Sequence, residues 1–255
     1  MENPFKNNTL ASGLLGFIMG MGTLAGVQAL MSYSDSCSSG KTPTVEILHP
    51  GPADEEFDDV KTALDYHGID VSNHQGEIDW PLVAKDNNIK FVYIKATEGA
   101  THQDKRYKEN INGARKNGFP VGSYHYLRNT SYILNQFDNF ISVVDKDMQD
   151  LIPMVDVEEK VEKDSILLFC NLIKSHYGKS PIIYGTNKSY NSYCAPDFNN
   201  YYLMIGRYGN NPPEIKGKGH YNIWQFSEKG KINGISKPVD LNKFHPDFEL
   251  SKLKL

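Results

Sequence analysis

Four acidic residues of this sequence sit where acids are normally kept out, inside short apolar runs: Asp70 in GIDVS (68–72), Asp156 and Glu158 in PMVDVE (153–158), and Asp240 in PVDLNKF (238–244). An unpaired charge in such a run is costly, so the placement asks for a reason. Side chains two apart on a strand point the same way, about 6.6 Å apart along it. Asp156 and Glu158 therefore share a face while Val157 packs on the other. Clustered carboxylates repel, which raises the pKa of at least one and keeps it protonated near neutrality. A protonated acid beside ionised ones is what glycosidic bond cleavage needs: a proton donor for the leaving oxygen, and negative charge for an oxocarbenium-like transition state. Two plainer explanations compete. Any one of these acids alone is explained by a solvated strand end or a helix cap, and hard cations also favour carboxylates. The sequence lacks a DxDxDG loop, and neither a metal nor a cofactor is expected.

The elements that must position these acids recur along the chain. Eight runs rich in β-branched and aromatic residues are read as strands: 68–72, 91–97, 120–127, 153–158, 181–185, 202–208, 221–227 and 238–244. Four of them open with Pro120, Pro153, Pro181 or Pro238, where a missing N–H least disturbs a ladder. Helical segments separate the early strands. Asp79 is placed to cap a turn containing Trp80 and Pro81, and residues 105–117 put Tyr107, Ile111 and Ala114 on one face before Gly118. Residues 132–144 and 165–177 also carry apolar residues at helical spacing, with Gly178 ending the latter.

Strand, helix, strand repeated in this way means parallel strands covered by helices, and eight of them can close into a barrel. After the fifth strand the gaps shrink below the length of a regular crossover helix. The expected fold is therefore α/β, an incomplete (β/α)8-type barrel of eight strands with few helices in the last third and room for antiparallel pairs there. In such a barrel the carboxyl ends of the strands converge on the site. Asp70, Asp156, Glu158 and Asp240 fall at that rim.

The remainder of the chain bounds the setting. Net charge is -4 over 255 residues and no Lys/Arg block appears, which argues against nucleic acid as a partner. Residues 10–31 form an uncharged stretch of 22 positions, enough at about 1.5 Å per residue to span a bilayer core of roughly 30 Å. With Lys6 before it, the segment reads as a signal peptide or a signal anchor, and either one exports the rest. The expected organisation is residues 1–34 as that segment, 35–64 as a flexible acidic linker and 65–255 as the catalytic barrel. Membrane contact is expected only through the N-terminal segment. Cys37, Cys170 and Cys194 show no metal-ligand spacing. A Cys170–Cys194 bridge is left open.

At GIDVSNHQGEIDW, FVYIKATEG, GSYHYL, MVDVEE, IWQFS and VDLN, in order over residues 66–248, the sequence resembles the family 25 glycoside hydrolases, lysozymes that cleave peptidoglycan. The resemblance implies an N-acetylmuramidase hydrolysing the β-1,4 bond between N-acetylmuramic acid and N-acetylglucosamine. The partner it implies is a peptidoglycan glycan strand; a monomer is expected, exported by its N-terminal segment to the cell envelope or beyond the cell. It implies Glu158 as proton donor and Asp70, Asp156 and Asp240 as its accompanying acids. Whether an aspartate attacks, or steers attack by the substrate's own acetamido group, stays open; the latter with Asp156 as partner is favoured. The motifs further carry Lys95, Glu98, Tyr124, Tyr126, Tyr184, Trp224 and Gln225 as candidate substrate-binding residues. Alternation lets Tyr124 and Tyr126 share a face with His125 on the other, and sets Trp224 opposite Gln225. Glu159 points away from Glu158, towards solvent or a salt bridge. No second, repeat-built wall-binding module is expected, so targeting is expected to rest on the cleft and the N-terminal segment. Two other readings stand beside this one: a barrel that binds peptidoglycan without cutting it, and a glycosidase acting on chitin or another N-acetylglucosamine polymer, of whose DxxDxDxE motif LIPMVDVE keeps only the last two acids.

Overall fold

A computed structural model describes residues 65–255; the expected N-terminal segment (1–34) and linker (35–64) lie outside the described residues. Strands β1 (Gly68–Val71), β2 (Phe91–Glu98), β4 (Val121–Tyr126), β5 (Met154–Asp156), β6 (Ile182–Thr186), β7 (Leu203–Gly206), β8 (Ile223–Gly230) and β9 (Val239–Phe244) form one sheet that closes through pairing of β1 with β2. All eight expected strands are present. A two-residue strand, β3 (His102–Gln103), pairs back on the end of β2; as two exposed polar residues it has no pattern in sequence. Neighbours from β1 through β2 and β4 round to β8 are parallel, and β9 runs antiparallel to both β8 and β1. The four prolines each stand one residue before their strand, as their missing N–H requires.

The helices thin out as expected. Asp79 caps α1 (Trp80–Val83), its carboxylate accepting the Leu82 N–H at 3.1 Å. Helix α2 (Tyr107–Lys116) buries Tyr107, Ile111 and Ala114. Helices α3 (Ile133–Val143) and α4 (Lys163–Tyr177) follow, α4 starting two residues before the expected Ser165. Gly178 ends it with φ 88°, a left-handed turn that other residues enter at a cost. Beyond β6 only the three-residue α5 (Asn187–Ser189) and a π-turn over Tyr190–Cys194 intervene.

Alternation along the strands builds the barrel in layers. Met154, Ile182, Met204 and Ile223 face inward with Phe91 and Tyr93 as an apolar floor. Two residues further along each strand the inward position is polar or empty: Asp156, Tyr184, Gly206 and Gln225. The alternate residues, such as Val155, Val157, Ile183 and Ile205, pack outward in the core between sheet and helices. This layering puts charge at one end of the barrel and hydrocarbon beneath it.

Candidate active site

At the carboxyl ends of the parallel strands lies a cavity of about 120 Å³ floored by Met154. Asp70, Asp156, Glu158 and Asp240 all line it, with Tyr124, Tyr184 and Gln225, so the four acids converge as their strand positions require. Asp240 reaches this rim because β9 runs the opposite way: it is the second residue of that strand and sits directly across from Asp70. The end of β5 differs from expectation. Its ladder stops at Asp156 rather than 158, although the Val157 N–H still donates to the Tyr184 carbonyl at 2.9 Å. That last bond keeps the chain extended, so Val157 is buried in the outer core and Glu158 turns to the cavity mouth, open to solvent. A larger depression of about 880 Å³ lies on the flank against Trp80, Gly113 and Ile232; none of the four strand-borne acids reaches it.

Hydrogen bonds give the acids unequal surroundings. Asp70 Oδ2 accepts from Asn242 Nδ2 at 2.8 Å and Gln225 Nε2 at 3.0 Å. Gln225 Oε1 in turn accepts the hydroxyls of Tyr184 at 2.7 Å and Tyr208 at 3.1 Å. Asp156 Oδ1 is buried with no protein partner, an arrangement that costs free energy unless the group is neutral or a ligand supplies a donor. Burial, then the Glu158 charge, push Asp156 well above the usual carboxylate range, with Lys95 opposing. Glu158 is raised by desolvation and then by Asp70, again against Lys95. Burial and the Asp70 charge lift Asp240 to about 9. Asp70 is raised by burial, while Asn242, Gln225 and Asp240 pull it down by hydrogen bonding. The cavity thus stores protons near neutrality, which a proton donor requires.

Of the other expected residues, Lys95 and Glu98 pair with each other at 2.6 Å beside the acids. Partial burial works against ionisation of Glu98, but Lys95 and then Arg128 outweigh it and lower its pKa. Tyr126 lies under the Lys95 ammonium, 5.2 Å from ring centroid to Nζ. These three candidate substrate-binding residues form a rim beside the cavity and do not line it. Trp224 is a correction. It faces outward from β8, its Nε1 donating to the Arg207 carbonyl at 2.6 Å and its ring lying 4.4 Å beneath Lys243 Nζ, because Gln225 takes the inward position. His125 is a satisfied core histidine, fully buried between Thr97 and Gln136. Glu159 points away from the cavity and pairs with Arg128 at 3.7 Å. Sequence reasoning missed Tyr208, which follows β7 and enters through its hydroxyl, and Asn242, which alternation from Asp240 places on the inward face. Among the described residues no group of three or more His, Cys, Asp or Glu side chains is arranged to hold a metal ion. Cys170 and Cys194 are free and buried.

The sequence matches the profile of the Glycosyl hydrolases family 25 over residues 69–235, a span that contains three of the four acids. The chain belongs to glycosyl hydrolase family 25. This family 25 hydrolase is 35% identical over 193 residues to the Escherichia coli K12 protein YegX, itself described as uncharacterized, covering 72% of this chain and 71% of that one. It is 31% identical over 182 residues to the autolytic lysozyme of Clostridium acetobutylicum, covering 69% of this chain and 55% of the relative. Among solved structures, a family 25 glycosyl hydrolase from Bacillus anthracis superposes with a TM-score of 0.65 at 31% identity, covering 71% of this chain and 90% of the other. A lysozyme from Streptomyces coelicolor gives 0.64 at 29% identity, covering 73% and 94%. The family 25 barrel, closed by eight strands and sparing in helices, is thus the scaffold of a glycoside hydrolase.

Proposed function

We propose that this hydrolase is an N-acetylmuramidase, cutting the β-1,4 bond between N-acetylmuramic acid and N-acetylglucosamine in peptidoglycan with Glu158 as general acid. The observation that carries the reading is the pairing of a buried, unpartnered Asp156 Oδ1 with Glu158 at the mouth of the same small cavity. A substrate acetamido N–H supplies the donor that Asp156 lacks, and a donor at that oxygen favours the ionised form. Binding then lowers the affinity of Asp156 for its proton and leaves Glu158 as the proton source. Held by Asp156, the acetamido oxygen attacks the anomeric carbon as the C–O bond to the leaving sugar breaks and Glu158 protonates the leaving oxygen. Water opens the resulting ring with Glu158, now a carboxylate, taking its proton, and the configuration at the anomeric carbon is retained. The negative charge of Asp70 supports the positive charge developing on the sugar ring.

Tyr124, Tyr184 and Gln225 supply the hydroxyl and amide groups that hold the sugar in the cavity, with Lys95, Glu98 and Tyr126 on its rim. Among the described residues no helix is long and apolar enough to cross a membrane, so anchoring or export rests on residues 10–31. An exported enzyme acting at the envelope or beyond the cell fits the wall as substrate.

The test is Glu158→Gln, assayed by clearing of purified cell walls and by the reducing-end sugar of the products. Loss of a positioned proton donor predicts a rate lower by on the order of 10²- to 10⁴-fold, and the parent should release N-acetylmuramic acid at the new reducing end. Activity of the variant near the parent's would remove Glu158 from the acid role, and reducing-end N-acetylglucosamine would identify a different bond.

A further inference from the structure

Asp70 and Asp240 face one another across the β1–β9 pair, yet the amide donors near them go to one side only. Asp70 Oδ2 receives both Asn242 Nδ2 and Gln225 Nε2. The Gln225 amide is held in that sense by two phenols, since its Oε1 accepts from Tyr184 and Tyr208; turned round, it would set a carbonyl oxygen against the Asp70 carboxylate. Space for the lock comes from Gly206, where a Cβ would lie 2.8 Å from the Tyr184 hydroxyl and 3.1 Å from Gln225 Oε1. Asn242 is fully buried and its Oδ1 has no protein partner, so its bond to Asp70 orients it. Two N–H groups on one oxygen favour the carboxylate over the acid. Adjacent buried carboxyls share a proton, and the one without amide donors keeps it.

We propose that Asn242 and Gln225 are positioning residues that keep the negative charge of this pair on Asp70 and its proton on Asp240, so that a fixed anion faces Glu158 and holds the proton there until substrate arrives. The inference rests on Glu158 as the acid and adds the device that keeps it charged with a proton. The groups bearing on this balance are Asp70 from β1, Lys95 and Glu98 from β2, Asp156 from the end of β5, Asp240 from β9 and Glu228 from β8. Among them Lys95 is the cation that opposes proton retention at Glu158.

Two measurements on the full chain test this. Carboxyl-carbon magnetic resonance of the parent should find Asp70 ionised and Asp240 protonated near neutrality; the reverse assignment overturns the proposal. Asn242→Leu removes a donor from Asp70 at similar side-chain volume, and Gln225→Met does so from the other side. Each should move the alkaline limb of the kcat/KM profile to lower pH by about one unit. A variant that loses activity equally at all pH values with the limb unmoved would show a merely structural role and overturn the proposal. Should neither variant fold, Tyr208→Phe, which loosens only one phenol of the lock, must move the limb the same way by a smaller amount. An alkaline limb that survives in Glu158→Gln would instead refute Glu158 as the acid, an outcome that the direct reading of Asp70 and Asp240 tells apart from failure of the amide lock.

Discussion

Replacing His125 with glutamine should make the stability difference between parent and variant depend on pH by about 3 kcal/mol. His125 is fully buried in β4 against the wall of helix α3, with its ring stacked on Phe169 at 4.9 Å between centroids. Gln136 donates its amide N–H groups to the carbonyls of Arg128 and Ser131, so its Oε1 faces His125 and accepts from Nε2–H at 3.1 Å. Nδ1 is then the acceptor for the Thr97 hydroxyl at 2.7 Å, and both ring nitrogens are satisfied in the neutral form. Burial pushes the imidazole down to about 4 from 6.5, with Gln136 opposing. At about 1.36 kcal/mol per pH unit, the gap between 6.5 and about 4 corresponds to about 3 kcal/mol. The sign follows from proton linkage: above 6.5 the ring is neutral folded or unfolded, and the full benefit is present. As the pH falls towards 4, the unfolded chain takes up the proton first and the benefit is lost. Carboxyls elsewhere with raised pKa values work in the opposite direction in both proteins and cancel in the difference. Urea unfolding followed by tryptophan fluorescence, at intervals between about pH 7.5 and about pH 4, should show the parent's advantage shrinking by about 3 kcal/mol. An advantage that stays constant across that range would mean that His125 is not held neutral, and would refute the reasoning.

Two further outcomes are expected. Asp240 is lifted by burial and by Asp70 from 3.8 to about 9, so the folded state loses stability as pH rises through that range; Asp240→Asn should melt several degrees higher than the parent at alkaline pH by calorimetry while its wall-lytic activity falls. Trp224→Phe removes the indole bond to Arg207 and part of the Lys243 contact, which should cost about 1–2 kcal/mol in urea unfolding and leave KM within about twofold, since the ring faces away from the cavity.

Much of the barrel is legible in the chain because its strands announce themselves twice, by β-branched runs and by the prolines that open four of them. The helices are equally plain up to α4, where apolar residues recur at helical spacing and Gly178 stops the last of them. Where legibility fails, the cause is local. His102 and Gln103 form a strand only because the chain folds back on the end of β2, and no hydrophobic pattern marks two exposed polar residues. Trp224 and Gln225 are adjacent in a motif, and only the inward or outward sense of β8 separates the residue at the cavity from the one packed beneath Lys243. Tyr208 lies just past the end of β7, two residues beyond Gly206 and so in its inward sense, a signal that the expected strand over 202–208 already carried. Asn242 could have been found, since it lies two residues beyond Asp240 and so on the same face.

The sequence by itself determined which residues share a face and which eight strands build the barrel, because side-chain alternation and turn chemistry are local properties of the chain. It therefore placed Asp156 and Glu158 together, and put Asp70 and Asp240 at the rim of the same barrel. Only the tertiary structure decided how their charges divide. Proton affinity depends on burial and on donors brought in from remote strands: Asn242 and Gln225 reach Asp70 from 172 and 155 residues away. Asp156 is left with an oxygen that has no partner, and no sequence pattern reports which carboxylate receives the donors and which one waits for a ligand.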